Sequence, residues 1–325
     1  MNPITNKNAF GAPGIEPRWT SSAKEGVGTA YSSSANVWFT LSHGIVNEVY
    51  FPHVDTPNIR DLQFLITDGE TLCHEEKRDL LHEIDYPEEN ALLYRLTNSD
   101  PDGRYRFVKE IIVEPHSAVF LMHTRLKILD ESLRGKLRLY ALLAPHLKGT
   151  GCNNSAWLCQ TGNRKLIGAQ REAMEMSFGC EPDFARRSVG FVGASDGWTD
   201  LMENFQMDWE FTDALDGNVA ITGEIDLSEG MEFTLGIGFG ETPHSACTHL
   251  LQAFATPFSD LREKYIKQWQ RTHPKLDLSE HTADGGSMFR LSQCLLLAGT
   301  SGTLFGGFWA VSLAVSWFEG FRGRI

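Results

Sequence analysis

The chain has 325 residues, and its 42 Asp and Glu residues outnumber its 29 Lys and Arg residues, so the net charge is −13. Hydrophobic residues make up 42% of the chain and charged residues 22%, a composition that excludes a disordered chain or a disulfide-stapled miniprotein. The acidic balance argues against nucleic acid or an anionic membrane as a partner, because both are bound through Lys and Arg. The length suits two domains or one large β domain.

Short β-rich segments separated by Gly, Pro, Asn and Asp follow one another from about residue 27 to residue 240. The segments that we predict as strands are 37–41, 45–51, 62–67, 105–113, 118–128, 137–143, 189–192, 219–222 and 231–239. In 231–239 every second residue is apolar, which is the period of a strand with one buried face. A Pro-containing turn joins 105–113 to 118–128 and predicts a hairpin. With no helix predicted between these strands, the sequence predicts antiparallel sheets packed face to face in a large β-sandwich.

After residue 240 the apolar residues change to the period of a helix. The residues that recur every three or four positions are Leu250, Phe254, Phe258, Leu261, Tyr265 and Trp269. Pro257 divides this stretch, so the pattern predicts a short helix that ends near Ala255 and a stronger helix over 257–271. Thr256 then caps the second helix, with Pro257 in its first position.

The last part of the chain combines a predicted helix with an unusual tail. A linker over 275–282 precedes a helix predicted from about Gly286 to Ala298, with Gly299 as its stop. The tail over 304–318 is almost wholly apolar, and about 20 apolar residues can span a bilayer. Glycine, serine and threonine interrupt the tail, so we expect an altered piece of a buried helical region, and a membrane anchor is the weaker alternative.

The cysteines and the N-terminus indicate a reducing compartment. The six cysteines are Cys73, Cys152, Cys159, Cys180, Cys247 and Cys294. They form no CxxC pair and no zinc-type Cys and His block, so we predict scattered reduced thiols and neither a metal nor a cofactor. The first residues lack the basic and apolar regions of a signal peptide, and together these features predict a cytoplasmic protein.

Several motifs in order along the chain resemble one family of enzymes. They lie at residues 19–29, 37–55, 62–69, 75–79, 261–269 and 284–290. These segments resemble the N-terminal domain of prokaryotic glucoamylases and glucodextranases, which belong to glycoside hydrolase family fifteen. The resemblance covers about residues 10 to 298, with Glu25 and Phe51 standing where the family pattern has Asp and Tyr.

The resemblance implies a mainly β architecture in three parts. These are an antiparallel β-super-sandwich over 1–243, a helical linker over 244–283 and the truncated start of an (α/α)6 barrel over 284–325. Enzymes of the family hydrolyse α-glucosidic bonds with inversion, which requires one carboxylic acid and one carboxylate. In the family both glutamates lie deeper in the barrel, so the resemblance implies a non-catalytic N-terminal portion whose partner is the helical catalytic domain. Because the sequence departs from the family after residue 298, we expect a frameshifted or degenerate reading frame there.

A second interpretation is a stand-alone β-sandwich module that binds an α-glucan or oligosaccharide, or acts as a scaffold. Trp19, Lys24 and Tyr50, in the motif-rich opening, are our candidates for substrate contact or for the interface with the helical domain. We predict no catalytic residue, and we expect the acidic pair Glu75 and Glu76 to be solvated loop carboxylates. If the apolar face of the linker helix lacks its partner, self-association is expected.

Overall fold

The computed structural model describes residues 7–19, 21–271 and 284–300. Residues 272–283, which contain the segment predicted as a linker over 275–282, and the tail beyond residue 300 lie outside the described residues, and so do the predictions made for them. The described strands are β1 (Gly26–Thr29), β2 (Trp38–Ser42), β3 (Ile45–Tyr50), β4 (Pro57–Thr67), β5 (Cys73–Glu75), β6 (Leu81–Asp85), β7 (Tyr94–Ser99), β8 (Tyr105–Val113), β9 (Val119–Ile128), β10 (Arg138–Pro145), β11 (Asn154–Thr161), β12 (Arg164–Arg171), β13 (Met174–Glu181), β14 (Arg187–Phe191), β15 (Asp213–Gly217), β16 (Val219–Glu224) and β17 (Glu232–Gly240). The described α-helices are α1 (Glu76–Asp79), α2 (Gly197–Asn204), α3 (Pro243–Phe254), α4 (Phe258–Gln270) and α5 (Ser287–Thr300).

The strands form two antiparallel sheets that pack face to face, as the sequence predicts. The first sheet has the order β1-β2-β3-β4-β10-β16-β14, and β5 pairs with β4 at one end. The second sheet has the order β15-β11-β12-β13-β17-β9-β8-β7-β6. Aromatic rings of the two sheets meet between them: Phe39 packs edge to face on Phe120 at 5.6 Å, and Phe64 stacks on Phe107 at 5.5 Å. The mainly β, antiparallel sandwich is therefore confirmed.

The strands that were predicted from alternation are close to those observed. Segment 105–113 is β8, segment 118–128 is β9 with one residue less, and the two pair as the predicted hairpin. Strands with weaker local signals were missed, namely β1, β5, β6, β7, β11, β12, β13 and β15. In β7, buried Tyr94 and Leu96 alternate with half-exposed residues, but the strand is only six residues long. Such short alternation is hard to distinguish from a polar loop.

Two helices lie between the strands, where the sequence analysis predicted none. The short α1 follows β5 directly. The eight-residue α2 begins after Asp196, whose carboxylate accepts hydrogen bonds from the backbone N–H groups of Trp198 and Thr199. This helix covers part of the outer face of the first sheet, where Leu201 packs in a small apolar cluster with Leu65.

The helices after residue 240 confirm the predicted change of period, with different ends. Helix α3 ends at Phe254, and its N-terminus carries a capping box formed by Thr242 and Ser245. Helix α4 begins at Phe258, so Pro257 is the capping residue rather than the first helical residue that we predicted. Helix α5 continues to Thr300, so the prediction that Gly299 ends the helix is wrong.

Helix α4 packs its apolar face on the sandwich of the same chain. Tyr265 and Trp269 are buried, and the Tyr265 hydroxyl donates to the backbone oxygens of Thr29 and Leu92, each at 2.8 Å. The Trp269 indole N–H donates to the Thr29 oxygen at 3.1 Å. Helix α4 therefore buries its apolar face without a second protein. Within the described residues, we found no helix of the length and apolar character needed to span a bilayer.

Candidate functional site

The candidate site lies on the outer face of the first sheet, where β2 and β3 pair. On β2, Phe39 and Leu41 belong to the core, so Trp38 and Thr40 face outward. The strand register places Trp38 opposite Tyr50 and Thr40 opposite Glu48. Aromatic and polar side chains therefore share one surface at this end of the sheet.

Glu48 joins two of the three predicted residues. The Lys24 ammonium nitrogen lies 2.5 Å from Oε2 of Glu48, and the Tyr50 hydroxyl donates to the same oxygen. The side chains of Lys24 and Glu48 are each 15% exposed, so water only partly screens this ion pair. Burial, and next the charge of Glu48, raise the pKa of Tyr50 well above its usual range, which keeps the hydroxyl a neutral donor.

Sequence reasoning missed Glu48, although a signal for it was present. Glu48 and Tyr50 lie two residues apart in the strand predicted over 45–51, so their side chains share one face. The tertiary fold then brings Lys24, from the segment before β1, onto that face. The resulting group of Lys24, Glu48 and Tyr50 is hereafter called the triad.

Trp19 lies apart from the triad. Its ring packs edge to face on His146 at a centroid distance of 4.9 Å, and the residue is 41% exposed. His146 is buried just after β10, and burial together with the nearby charge of Arg60 lowers its pKa to about 3. The structure therefore joins Lys24 and Tyr50 through Glu48, whereas Trp19 forms a separate aromatic contact.

Helix α5 is attached beside the triad. The Trp38 indole N–H donates to the Ala298 backbone oxygen at 2.9 Å, and Trp38 is the strand neighbour of Tyr50. Arg290, near the start of the same helix, lies 2.7 Å from a carboxylate oxygen of Glu89. These contacts hold α5 beside β1, the edge strand of the first sheet.

The acidic pair Glu75 and Glu76 is buried, which corrects the prediction of solvated carboxylates. The strand pairing of β4 with β5 places Glu75 on the first sheet, and the Glu76 carboxylate accepts the Phe64 backbone N–H of β4 at 2.9 Å. Glu75 accepts hydrogen bonds from Gln63 at 2.9 Å and from the Trp198 indole N–H at 3.1 Å. Both carboxylates are thus engaged by neighbouring side chains and serve the fold.

The Glu75 carboxylate also orients an exposed aromatic ring. Trp198 is 37% exposed, and its backbone N–H is held by the capping carboxylate of Asp196. Arg78 reaches the same Glu75 oxygen, Oε2, at 3.2 Å and extends into solvent. The indole is therefore fixed at both its backbone and its ring nitrogen, with polar side chains around it. In the part of the chain that the structure describes, no three His, Cys, Asp or Glu side chains are grouped to hold a metal ion.

Comparison with known proteins agrees with this architecture. The chain matches the family model described as glucodextranase, domain N, over residues 9–273. It is 30% identical to a protein of Clostridium sp. (strain G0005) named glucoamylase. The aligned 317 residues cover 98% of this chain and 44% of that protein. A crystal structure of bacterial glucoamylase complexed with acarbose has a TM-score of 0.87 at 30% identity, covering 92% of this chain and 44% of that chain. A glycosyl hydrolase of family GH92 shares the fold alone, with a TM-score of 0.51 at 10% identity over 85% of this chain and 39% of that chain.

The two-sheet sandwich followed by packed helices is therefore the N-terminal architecture of a glucoamylase-like glycoside hydrolase. The chain belongs to the glucodextranase domain N family. It spans 44% of the length of the glucoamylase relatives that it matches. The resemblance noted from the sequence motifs is confirmed.

Proposed function

We propose that this chain is the non-catalytic N-terminal portion of a glucoamylase-type glycoside hydrolase, and that it supports a helical catalytic part without hydrolysing glucans by itself. The observation that carries the proposal is the hydrogen bond from Trp38 to Ala298, which seats α5 beside the triad. A helical part that continues from α5 would start on this surface of the sandwich.

Most buried carboxylates of the described residues have structural partners, which supports the non-catalytic role, whereas Oε2 of Glu175 has none among the described residues. Inverting hydrolysis requires two carboxyl groups about 6.5–9.5 Å apart that both reach the sugar. Glu76 is paired with Lys109, and Asp200 accepts the backbone N–H groups of Asp208 and Trp209. Burial raises the pKa of Glu175 to about 7, but this residue is buried opposite Gly240, beside the N-terminus of α3.

The triad suits an interface with the helical part. A partly buried ion pair and a neutral phenol offer directional hydrogen bonds, and a second protein surface would complete their burial. Trp19, on His146, offers a separate exposed aromatic contact of the kind that is frequent at interfaces. Lys24, Tyr50 and Trp19 are therefore proposed as interface residues, with substrate contact as their alternative role.

Two measurements test the proposal. The purified chain should release no glucose from maltooligosaccharides or isomaltooligosaccharides under conditions in which the Clostridium relative is active, and glucose release by the chain alone would refute the non-catalytic role. A chimera should then join this chain, up to α5, to the remaining length of that relative. We expect Lys24→Ala and Tyr50→Phe to lower the melting temperature of the chimera more than that of the isolated chain.

The matched control for the chimera is Lys136→Ala, which removes an exposed lysine from the turn before β10. This variant should change both melting temperatures equally. If the two triad variants also behave equally in the chimera and in the isolated chain, the triad is not part of the interface.

A second candidate function, carbohydrate binding, is favoured by the fixed and exposed indole of Trp198. Indole faces can pack on the apolar side of a pyranose ring, and the neighbouring Arg78 can donate to sugar hydroxyls. Retardation of the chain in starch or dextran gels, lost in Trp198→Ala and kept in Tyr86→Ala, at another exposed aromatic residue, would support this function. Unchanged mobility in both gels would contradict it.

A further inference from the structure

A cysteine of α3 contacts the strand of the second sheet that carries another cysteine, far from it in the sequence. Cys159 lies on β11 and Cys247 lies on α3. The Cys247 sulfur is 3.2 Å from the Thr161 hydroxyl oxygen. Cys159 and Thr161 are two residues apart on the strand, so they share a face and lie about 7 Å apart along it. Cys247 thus reaches the row of side chains that contains Cys159.

Glycines beneath α3 explain why a helical cysteine reaches the strand so closely. A β-carbon added to Gly236 would lie 2.5 Å from a Leu250 methyl group, and one added to Gly238 would lie 2.4 Å from the Ala246 oxygen. Larger residues at these positions would push the helix away from the sheet. The close packing of α3 on the sheet therefore brings the Cys247 side chain within reach of β11.

The surroundings of Cys159 disfavour its thiolate form. Both thiols are free and partly buried against the main core. Burial, and next the charge of the Cys247 sulfur, raise the pKa of Cys159 to about 11. Cys159 should consequently ionise late and react second.

We propose that Cys159 and Cys247 are a redox-active pair that closes into an intramolecular disulfide and fastens α3 to β11. The oxidant is a small-molecule disulfide such as oxidised glutathione. The Cys247 thiolate attacks one of its sulfurs, forms a mixed disulfide and expels one small thiolate. Cys247 then turns from Thr161 towards Cys159, whose thiolate attacks the Cys247 sulfur and expels the second small thiolate. The two cysteine protons end on the two released thiols, and two electrons pass to the small disulfide. This proposal is independent of the proposed function.

The test is oxidation of the folded chain with oxidised glutathione, followed by thiol counting in denaturant and peptide mapping. We expect two fewer titratable thiols, an intact mass lower by two hydrogen atoms, and a linked pair of peptides that contain Cys159 and Cys247. Dithiothreitol should reverse all three changes. The oxidised chain should also have a higher melting temperature, because the bridge restricts the unfolded chain.

Three serine variants complete the test. In Cys159→Ser and in Cys247→Ser, oxidation should no longer remove two titratable thiols. In Cys152→Ser, at an exposed cysteine, oxidation should still remove two. Circular dichroism of each variant checks that the sandwich is folded. A stable glutathione adduct on Cys247 with no bridge, a bridge between other cysteines, or no reaction in the folded chain would each overturn the proposal.

Discussion

The ammonium nitrogen of Lys109 lies 2.6 Å from the Glu76 carboxylate, and both side chains are buried between the two sheets. Lys109 also donates to the Gly44 oxygen at 2.6 Å, and the second Glu76 oxygen accepts the Phe64 backbone N–H at 2.9 Å. Burial lowers the pKa of Lys109 and raises that of Glu76, while the opposite charge of the partner acts against each shift. The ion pair links strand β8 of the second sheet to the end of the first sheet at α1.

Removing one partner of this pair should destabilise the fold strongly. In Lys109→Met the Glu76 carboxylate loses its buried counter-charge, which typically costs about 3–5 kcal/mol of unfolding free energy. Urea unfolding at neutral pH measures the effect. Lys127→Met, at an exposed lysine on the neighbouring strand β9, is the matched control and should change stability by at most about 0.5 kcal/mol. Equal effects of the two substitutions would show that the buried pair is not important for stability.

His146 should make stability depend on pH in the mildly acidic range. Burial lowers its pKa to about 3 in the folded chain, whereas an unfolded histidine titrates near 6.5. The unfolded state therefore binds the extra proton first, so this contribution to stability is lost as pH falls from about 6.5 towards 3. The expected slope is about 1.4 kcal/mol per pH unit within that window.

The variant His146→Phe should lack the pH-dependent contribution of His146 to stability. Its free energy of unfolding, measured in urea from pH 7 to pH 4, should fall less steeply than that of the unmodified chain. His53→Phe, at an exposed histidine, should keep the original pH dependence. If the free energy of unfolding falls equally with pH in His146→Phe and in the unmodified chain, His146 is not the source of the pH dependence.

Tyr265 should fasten the linker helix α4 through its hydroxyl group. In Tyr265→Phe the Leu92 oxygen loses this donor, while the Thr29 oxygen keeps the donor from Trp269. A buried acceptor without its donor costs about 1–3 kcal/mol. Hydrogen exchange of the α4 amides should become faster in this variant. Tyr31→Phe, at a more exposed tyrosine, should leave the exchange of α4 unchanged, and equal exchange in both variants would argue against the fastening role.

Trp38 should control the attachment of α5. Trp38→Phe keeps an aromatic ring on β2 but removes the N–H that donates to Ala298. The loss of one such hydrogen bond, about 1 kcal/mol, should increase the population of detached α5 about fivefold. Limited trypsin digestion should then cleave faster at Arg290, while cleavage at Arg134, in an exposed turn, serves as the internal standard. An unchanged ratio of the two cleavage rates would show that this hydrogen bond does not hold the helix.

The parts of the fold that could be predicted from the sequence are those with long local periods. Strands β8, β9 and β17 each have nine or ten residues, and their alternating residues were recognised to within one or two positions. The boundary between α3 and α4 was predicted because Pro257 interrupts the helical periodicity. Periodicity depends only on residues that are close together in the sequence, so it can be recognised without knowledge of the fold.

Only the tertiary structure decided which polar residues meet. Glu48 became the centre of the triad because the segment before β1 crosses to β3, and nothing near Glu48 in the sequence identifies Lys24 as its partner. Glu75 and Glu76 look like loop carboxylates in the sequence, yet Trp198 of α2 binds Glu75 on the outer face of the first sheet, and Glu76 is buried with Lys109 between the sheets.

Hydrophobic periodicity thus predicted by itself a large antiparallel sandwich followed by helices, and motif order predicted the resemblance to glucoamylase N-terminal domains. The tertiary structure decided the site of α5, the partners of the buried charges and the contact of Cys247 with Thr161, on the strand that carries Cys159. The physical reason is that backbone patterns are set by local sterics and burial periodicity, whereas ion pairs and thiol pairs depend on distances between residues that are remote in the chain.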